Sequence, residues 1–344
     1  MTSRELLTKT LAFDHPDRIA MTLPPPYPND IRHIRIDPDP DRPDTNWEEV
    51  GGGRWEYTDE WGNTWARVEG HSKGEVARGA VEDWAQLDDL PLPDYDRPDR
   101  YDTARAQCAA ETEKFRAGGI PGFPFNVARK MRRLDQFLMD LALEPDNVER
   151  LLALVEKRMD NAIRRLAEAG VDGIVFCEDW GTQDRLLVSP AMWRRFFKPG
   201  FQRLCATAHE RGLYVLMHSC GCIYEAMDDM IECGIDCFQF DQPQLYGIDW
   251  LADRFSGRAT FWCPVDIQNT LQTRDPARIE DDARRMIERF GEKGGGFIAG
   301  YYGDNVSIGI DPSVQDVACR AFVKYGAPAI WSELEAALPA ASIP

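Results

Sequence analysis

The sequence lacks any apolar run close to the roughly 20 residues that a membrane-spanning helix requires. Its first residues, MTSRELLTKTLAF, follow the pattern of an amphipathic helix and contain neither the uninterrupted apolar core nor the cleavage site of a signal peptide. These absences predict that the chain does not cross a membrane and is not exported. We therefore expect a cytoplasmic protein.

Positive charge is scarce as well. The 344 residues include 40 lysines and arginines against 58 aspartates and glutamates, which gives a formal net charge of −18. Nucleic acids and anionic membrane surfaces repel such a chain, so neither is expected as a partner. A small-molecule substrate is the remaining expectation, and a homodimer is the commonest assembly for such a protein.

Cysteine, by contrast, is well represented, with nine residues. In the cytoplasm these side chains are expected to be free thiols or metal ligands instead of disulfides. Cys108, Cys205 and Cys319 lie within helical patterns and are interpreted as small buried apolar residues. The cysteines that follow apolar strands are the candidates for metal binding.

The first third of the chain predicts a short start to the main domain, followed by an insertion. A helix is expected over residues 3–13 and a strand over residues 17–23. Residues 29–100 are rich in Asp, Pro, Gly and Trp, and WEYTDEWGNTWARV predicts a β-hairpin with its turn near Gly62-Asn63. This segment has too few aliphatic residues for a core of its own, so it is interpreted as an insertion into a single domain of residues 1–344. Its aromatic residues either cap a substrate pocket or pack the hairpin onto the body.

The second half alternates helical patterns with five short apolar runs, and Gly170, Gly212 and Gly234 stand where helix C-caps favour glycine. Buried strands that alternate with helices predict parallel βα units. With the earlier strands the number approaches eight, which favours a (β/α)8 TIM-type barrel. A doubly wound open sheet is the alternative. The five runs are GIVFCE, YVLMH, IDCFQF, ATFWC and GFIAGY.

Polar side chains follow these strands, where barrels of this kind build their active sites. His218 and Cys220 are two residues apart at the end of one strand, so they point to the same face and could begin a zinc site. Cys263, two strands further, is the expected third ligand, and Glu178 is expected nearby. In the simpler interpretation, His218 is only a hydrogen-bonded structural residue. The other candidates for direct chemistry at these strand ends are Glu178, Asp179, Asp241 and Tyr301.

Three stretches together resemble the uroporphyrinogen decarboxylase superfamily. They are GIVFCEDWGTQDRLLVSPAMWRRFFKP, then HSCGCIYEAMDDMIECGIDCFQFDQPQ, then FWCPVDIQNTLQTRDPARIEDDARRMIERFGEKGGGFIAG. The resemblance covers roughly residues 119–324 and implies the (β/α)8 barrel of that family.

The resemblance also implies a choice between two chemistries. True uroporphyrinogen decarboxylases need no metal and carry an arginine-rich, RQAGRY-like motif, which the matching segment MTLPPPYPNDIRH lacks. The corrinoid-dependent methyltransferases bind zinc through an HxC pair, matched by His218 and Cys220, and through a later cysteine. At the place of that cysteine, after the last strand, this chain has GYYGD at residues 300–304.

The resemblance therefore favours a zinc-dependent methyltransferase. Such an enzyme would move a methyl group between a small methoxylated or methylamine-type substrate and a cobalamin (corrinoid) held by a separate protein. One alternative is a metal-independent decarboxylase of a pyrrolic or aromatic acid, in which Arg129, Arg132 or Arg133 binds carboxylates and Asp179 or Asp241 handles the proton. A further alternative is a barrel that binds a small ligand or a corrinoid protein without catalysis.

Overall fold

A computed structural model describes residues 1–68, 74–336 and 338. Its strands belong to two sheets, one of eight strands and one of four. In chain order the strands are β1 (Ala20–Met21), β2 (Ile31–Ile34), β3 (Glu48–Gly51), β4 (Arg54–Thr58), β5 (Thr64–Val68), β6 (Glu75–Arg78), β7 (Phe115–Gly119), β8 (Gly173–Cys177), β9 (Tyr214–His218), β10 (Cys237–Gln239), β11 (Thr260–Cys263) and β12 (Phe297–Ala299).

Helices separate the strands of the second half, as predicted. The α-helices are α1 (Ser3–Leu11), α2 (Asp102–Ala110), α3 (Pro124–Met131), α4 (Leu134–Leu143), α5 (Pro145–Ala169), α6 (Pro190–Phe196), α7 (Lys198–His209), α8 (Tyr224–Cys233), α9 (Ile248–Phe255), α10 (Pro276–Gly291), α11 (Pro312–Gly326) and α12 (Pro328–Leu334). Short 3-10 helices lie at Trp84–Gln86, Pro98–Tyr101, Pro243–Leu245 and Leu271–Thr273. Over the described ranges, no helix combines the length and the apolar character needed to cross a membrane.

The larger sheet forms a nearly closed barrel, which confirms the predicted fold class. Its strand order is β1-β12-β11-β10-β9-β8-β7-β2, and neighbouring strands are parallel throughout. The strands thus follow one another around the barrel in chain order. Between β1 and β2, the Asp30 N–H donates to the Met21 carbonyl at 2.8 Å, and the Met21 N–H donates to the Asp30 carboxylate at 2.8 Å.

Two cores form on the two sides of this sheet. Inside the barrel, alternate strand residues such as Leu216, Cys237 and Trp262 pack together, and Leu7 of α1 belongs to the same cluster at the N-terminal end of the barrel. Outside, the intervening residues, for example Phe261, pack against the helices. Alternation along each strand therefore decides which side chains reach the mouth of the barrel.

The second strand of the barrel lies where the sequence interpretation placed the start of the insertion. Residues 31–34, IRHI, pair with β7 through four consecutive residues. Only Ile31 and Ile34 of this strand are buried, and Pro and Asp residues surround it, so it does not form a continuous apolar run. The segment that folds over the barrel therefore begins after β2.

That segment contains the predicted hairpin as β4 and β5, and the structure extends it to a four-stranded antiparallel sheet, β3-β4-β5-β6. The turn at Gly62-Asn63 is confirmed, with Gly62 at a φ of +86°. The outer strands were not predicted because β3 is exposed along its whole length and shows no apolar alternation.

Arg100 links the start, the middle and the end of the insertion. Its side chain is only 2 % exposed and donates to the Glu60 carboxylate at 2.8 Å and to the Asp37 carbonyl at 2.9 Å. Its guanidinium also lies 4.2 Å from the ring of Tyr95, whose hydroxyl donates to Glu60. A buried charge with this many partners is costly to remove, since the remaining carboxylate then stays buried without compensation.

We expect Arg100→Met to lower the free energy of unfolding by about 3 to 5 kcal/mol, the usual cost of breaking a buried ion pair from one side. Arg105→Met is the matched control, because Arg105 is exposed and pairs with exposed Asp102. Its loss should cost about 1 kcal/mol or less. Guanidinium denaturation followed by circular dichroism measures both, and equal losses would contradict the proposed role of Arg100.

Candidate metal centre

The mouth of the barrel is built from side chains that point inward in successive layers. The register aligns Cys177 of β8 with His218 of β9, and His218 with Gln239 of β10. Two residues further along, beyond the strand ends, Asp179 and Cys220 follow on the same inward side. The sequence prediction that His218 and Cys220 share a face agrees with this placement.

His218, Cys220 and Asp179 form a compact group. One ligand atom from each lies within 4.8 Å of the others. The His218 Nε2 atom is 3.2 Å from the Cys220 Sγ atom and 3.5 Å from the Asp179 Oδ1 atom. Within the described part of the chain, this is the grouping of histidine, cysteine and carboxylate side chains with the geometry to hold a metal ion.

Gln239 fixes the orientation of the histidine ring. The Gln239 amide donates through Nε2 to the Asp241 carboxylate at 2.9 Å, so its oxygen faces the Nδ1 atom of His218, which donates to it. The lone pair of the imidazole is then on Nε2, directed at Cys220 and Asp179. A second hydrogen bond that sets the tautomer of a histidine is the usual support of a metal ligand.

Asp179 is held from two sides. Its Oδ1 atom accepts the backbone N–H of Cys220 at 3.0 Å, and its Oδ2 atom accepts from Arg129 at 3.2 Å. The next residue, Trp180, is fully buried and stacks on Phe125 with ring centroids 3.9 Å apart. The aromatic residues Trp193 and Phe197 complete this anchor, which explains why the EDWG and WRRFFKP motifs occur together.

The loops that carry Asp179 and Cys220 touch through glycine. A Cβ atom on Gly221 would lie 2.1 Å from the carbonyl oxygen of Gly181, and one on Gly181 would lie 2.3 Å from the backbone nitrogen of Cys222. Gly221 also has a φ of +74°, and its carbonyl accepts from the Tyr246 hydroxyl at 2.6 Å. The two glycines therefore allow the backbone contact that brings the three donor atoms together.

The thiol of Cys220 is protonated in the absence of a cation. Partial burial and the neighbouring carboxylates of Asp179 and Asp241 raise its pKa to about 12. A bound divalent cation offsets this negative charge and takes the thiolate as a ligand, with release of the proton.

Two residues predicted for the site lie outside the group. Cys263 belongs to the core between the strands and the helices, whereas the adjacent Trp262 fills the barrel interior. The expectation that Cys263 is the third ligand is therefore not supported, because its side chain points to the opposite face. Glu178 also points away from the group, because it lies between the inward-facing residues Cys177 and Asp179. It is fully buried and accepts the N–H of Asn126 at 2.9 Å. Burial raises the pKa of Glu178 to about 8.

The other predicted residues are divided between the site and its surroundings. Asp241 lines a cavity of about 270 Å³ beside Cys220, together with Tyr302 and Gln268. Tyr301 is not among the lining residues, and its hydroxyl accepts from the Asn305 amide at 2.8 Å. Sequence reasoning assigned no role to Gln239. The sequence signal that could have identified Gln239 is its position two residues before Asp241, on the strand next to that of His218.

Gly221→Ala should disturb the centre without removing a donor atom. We expect at least a tenfold loss of metal affinity and a lower melting temperature, because a Cβ atom cannot fit against Gly181. Gly212→Ala is the control: Gly212 has a similar φ of +72° but nothing within 4 Å of its Cβ position, so only backbone strain is added.

Metal titration and thermal melting of the two glycine variants separate the steric effect of the added Cβ atom from the effect of backbone strain. If both variants lose the same affinity and stability, the contact between the two loops has no part in holding the site.

Comparison with known proteins agrees with this architecture. The sequence profile of the family named uroporphyrinogen decarboxylase (URO-D) matches residues 68–326. No curated protein sequence matches the chain.

Among solved structures, a methyltransferase from Methanosarcina mazei is similar with a TM-score of 0.63 and 15% identity, over 94% of this chain and 99% of the other. A B12-independent methionine synthase from Shewanella sp. W3-18-1 gives a TM-score of 0.42 and 13% identity, over 80% of this chain and 73% of the other. At 15% identity, the likeness to the Methanosarcina mazei protein shows the barrel fold alone.

Proposed function

Because this chain belongs to the uroporphyrinogen decarboxylase family, and the mouth of its barrel assembles three donor atoms, we propose that it is a zinc-dependent methyltransferase. It moves a methyl group between a small methoxylated or methylamine-type substrate and a corrinoid carried by a separate protein. The observation that carries the proposal is the group formed by Asp179, His218 and Cys220.

The donor set fits zinc. One imidazole nitrogen, one thiolate and one carboxylate oxygen are all zinc ligands, and three protein ligands with one open position characterise catalytic sites. His218, Cys220 and Asp179 would hold the ion, and Gln239 would keep the imidazole in the ligating tautomer. The ion supplies Lewis acidity, which polarises the group that gives or takes the methyl. Asp179 thereby takes the place that the sequence analysis assigned to Cys263.

The residues around the cavity beside Cys220 position the substrate. Asp241 accepts a hydrogen bond from Gln239 and also faces the cavity, while Tyr302 and Gln268 add further polar groups to its wall. The aromatic ring of Phe240 supplies an apolar wall. Such a cavity orients a small molecule next to the donor atoms and limits the access of water.

Metal-independent decarboxylation has weaker support. Each arginine considered for binding substrate carboxylates already has a carboxylate partner: Arg129 contacts Asp179, Arg132 contacts Asp140 and Arg133 contacts Asp135. A non-catalytic role would not require the orienting hydrogen bond on His218.

Protein purified without a chelator or a His-tag should contain about one zinc per chain by elemental analysis, as expected for a site with three protein ligands. His218→Ala and Cys220→Ala should lose the ion, and Asp179→Ala should bind it at least tenfold more weakly. Cys263→Ala is the matched thiol control and should retain full zinc. Retention in Asp179→Ala with loss in Cys263→Ala would restore the ligand set of the sequence analysis.

Methyl transfer can be followed with free cob(I)alamin in place of the partner protein. With a panel of methoxylated and methylated-amine compounds, we expect methylcobalamin to form, detected by its absorbance, and the rate to fall at least a hundredfold in His218→Ala. Full activity after removal of the metal would contradict the proposal. Metal-independent release of carbon dioxide from an aromatic acid would support the decarboxylase instead.

A further inference from the structure

The cavity beside Cys220 has a wall of one sign of charge. Its volume is about 270 Å³, and the residues that line it include the carboxylate of Asp241 but neither lysine nor arginine. Three glutamines, Gln183, Gln242 and Gln268, contribute neutral amides. The volume is below the roughly 300 to 1,000 Å³ of most ligand sites, so the cavity suits a small molecule.

One oxygen of Asp241 is available to a ligand. Its Oδ1 atom accepts from the Gln239 amide at 2.9 Å. Among residues 1–68, 74–336 and 338, no donor bonds to its Oδ2 atom, and no lysine, arginine or histidine pairs with the carboxylate. Asp241 is only partly buried and is not one of the three donor residues of the metal centre. The carboxylate therefore lacks a counter-charge at the wall of the cavity.

A metal ion in the centre does not supply this counter-charge. A zinc ion carries two positive charges, and the Cys220 thiolate and the Asp179 carboxylate that would hold it carry two negative ones. Arg129 binds the other oxygen of Asp179 and does not line the cavity. The field of a chain with a net charge of −18 also attracts positive ions. The negative charge of Asp241 thus remains for a cationic ligand.

Aromatic side chains form another part of the wall. Tyr246 and Tyr302 both line the cavity. Their hydroxyls are already engaged, with the Gly221 carbonyl at 2.6 Å and with the Ser307 hydroxyl at 3.3 Å. Aromatic rings near a carboxylate suit alkylated ammonium ions, because the methyl groups of such ions carry part of the positive charge and contact the rings.

We propose that this cavity selects a small methylated ammonium ion, with Asp241 as its counter-ion and the tyrosine rings in contact with its methyl groups. The inference rests on the methyl transfer proposed above and narrows its substrate to the cationic class. A methoxylated acid, which is anionic at neutral pH, is repelled by the same carboxylate.

The transfer from such a substrate balances without a further reagent. The carbon–nitrogen bond breaks, and the nitrogen keeps its electron pair and becomes a neutral amine. The methyl group receives a new electron pair from the cobalt(I) of the corrinoid, which is thereby oxidised to cobalt(III). No proton moves when the nitrogen carries four carbon substituents. Asp241 therefore binds the charge that the substrate carries before the bond breaks.

The test compares choline with 3,3-dimethylbutan-1-ol, an uncharged analogue in which carbon replaces the nitrogen. Isothermal titration of zinc-loaded protein should show choline binding at least tenfold more tightly than the analogue. Asp241→Asn removes the charge but keeps an oxygen for the Gln239 amide. It should retain zinc, weaken choline binding at least tenfold and change analogue binding by less than threefold.

Two further variants accompany this comparison. Asp184→Asn is the matched control and should leave choline binding unchanged, because Asp184 is an exposed carboxylate that pairs with Arg185 and does not line the cavity. Tyr302→Leu removes an aromatic ring and should weaken choline binding at least threefold more than analogue binding. Circular dichroism melting of each variant shows whether it is folded before titration.

Equal binding of choline and its analogue to the unaltered protein, or unchanged choline binding in folded, zinc-loaded Asp241→Asn, would overturn the inference. A preference for choline that vanishes when zinc is loaded would do the same, because choline would then only replace the metal ion. Tighter binding of 4-methoxybenzoate than of choline would overturn the choice of a cation.

The titrations are also run on zinc-free protein, so the two proposals can fail separately. A preference for choline that depends on Asp241, in a protein that binds no zinc and transfers no methyl group, would refute the metal centre and leave the cation site standing. Zinc binding and methyl transfer from a methoxylated compound, without any preference for choline, would refute the cation site alone.

Discussion

The candidate site depends on one backbone contact between two loops. Asp179 accepts the N–H of Cys220, and Gly181 and Gly221 lie so close that neither position has room for a side chain. This contact turns a carboxylate from one strand end toward a thiol and an imidazole from the next. The stacking of Trp180 on Phe125 keeps the first loop in place, and the Tyr246 hydroxyl does the same for the second. Geometry that depends on backbone packing of this kind is rigid, as a metal site requires.

The fold could be predicted from the sequence wherever a strand is both apolar and bounded by helices. The five runs of the second half satisfied both conditions, and the strand order of the barrel follows their order in the chain. The second strand, IRHI, could not be identified in this way because two of its four residues are exposed and its neighbours are Pro and Asp. The third, FRAGG, contains too little apolar side chain to stand out, since its glycines pack against Leu166 and the backbone of β2.

The site was partly predictable for a related reason. His218 and Cys220 are two residues apart on one strand, so their common direction follows from strand geometry alone. Whether Cys263 shares that direction depends on the register of β11 against β10, and all four residues of β11 are buried. A strand buried on both faces has no polar alternation from which to infer which side chains point inward. Asp179 instead reaches the group through a loop, whose conformation depends on tertiary contacts.

The distribution of charge explains why the candidate site needs a cation, which the sequence motifs alone do not explain. The chain as a whole carries a net charge of −18, and part of this negative charge is concentrated at the mouth of the barrel. At the metal centre, Asp179 and Asp241 surround the thiol of Cys220 and create the need for a cation. A divalent cation would offset this negative charge and take the thiolate as a ligand, with release of its proton.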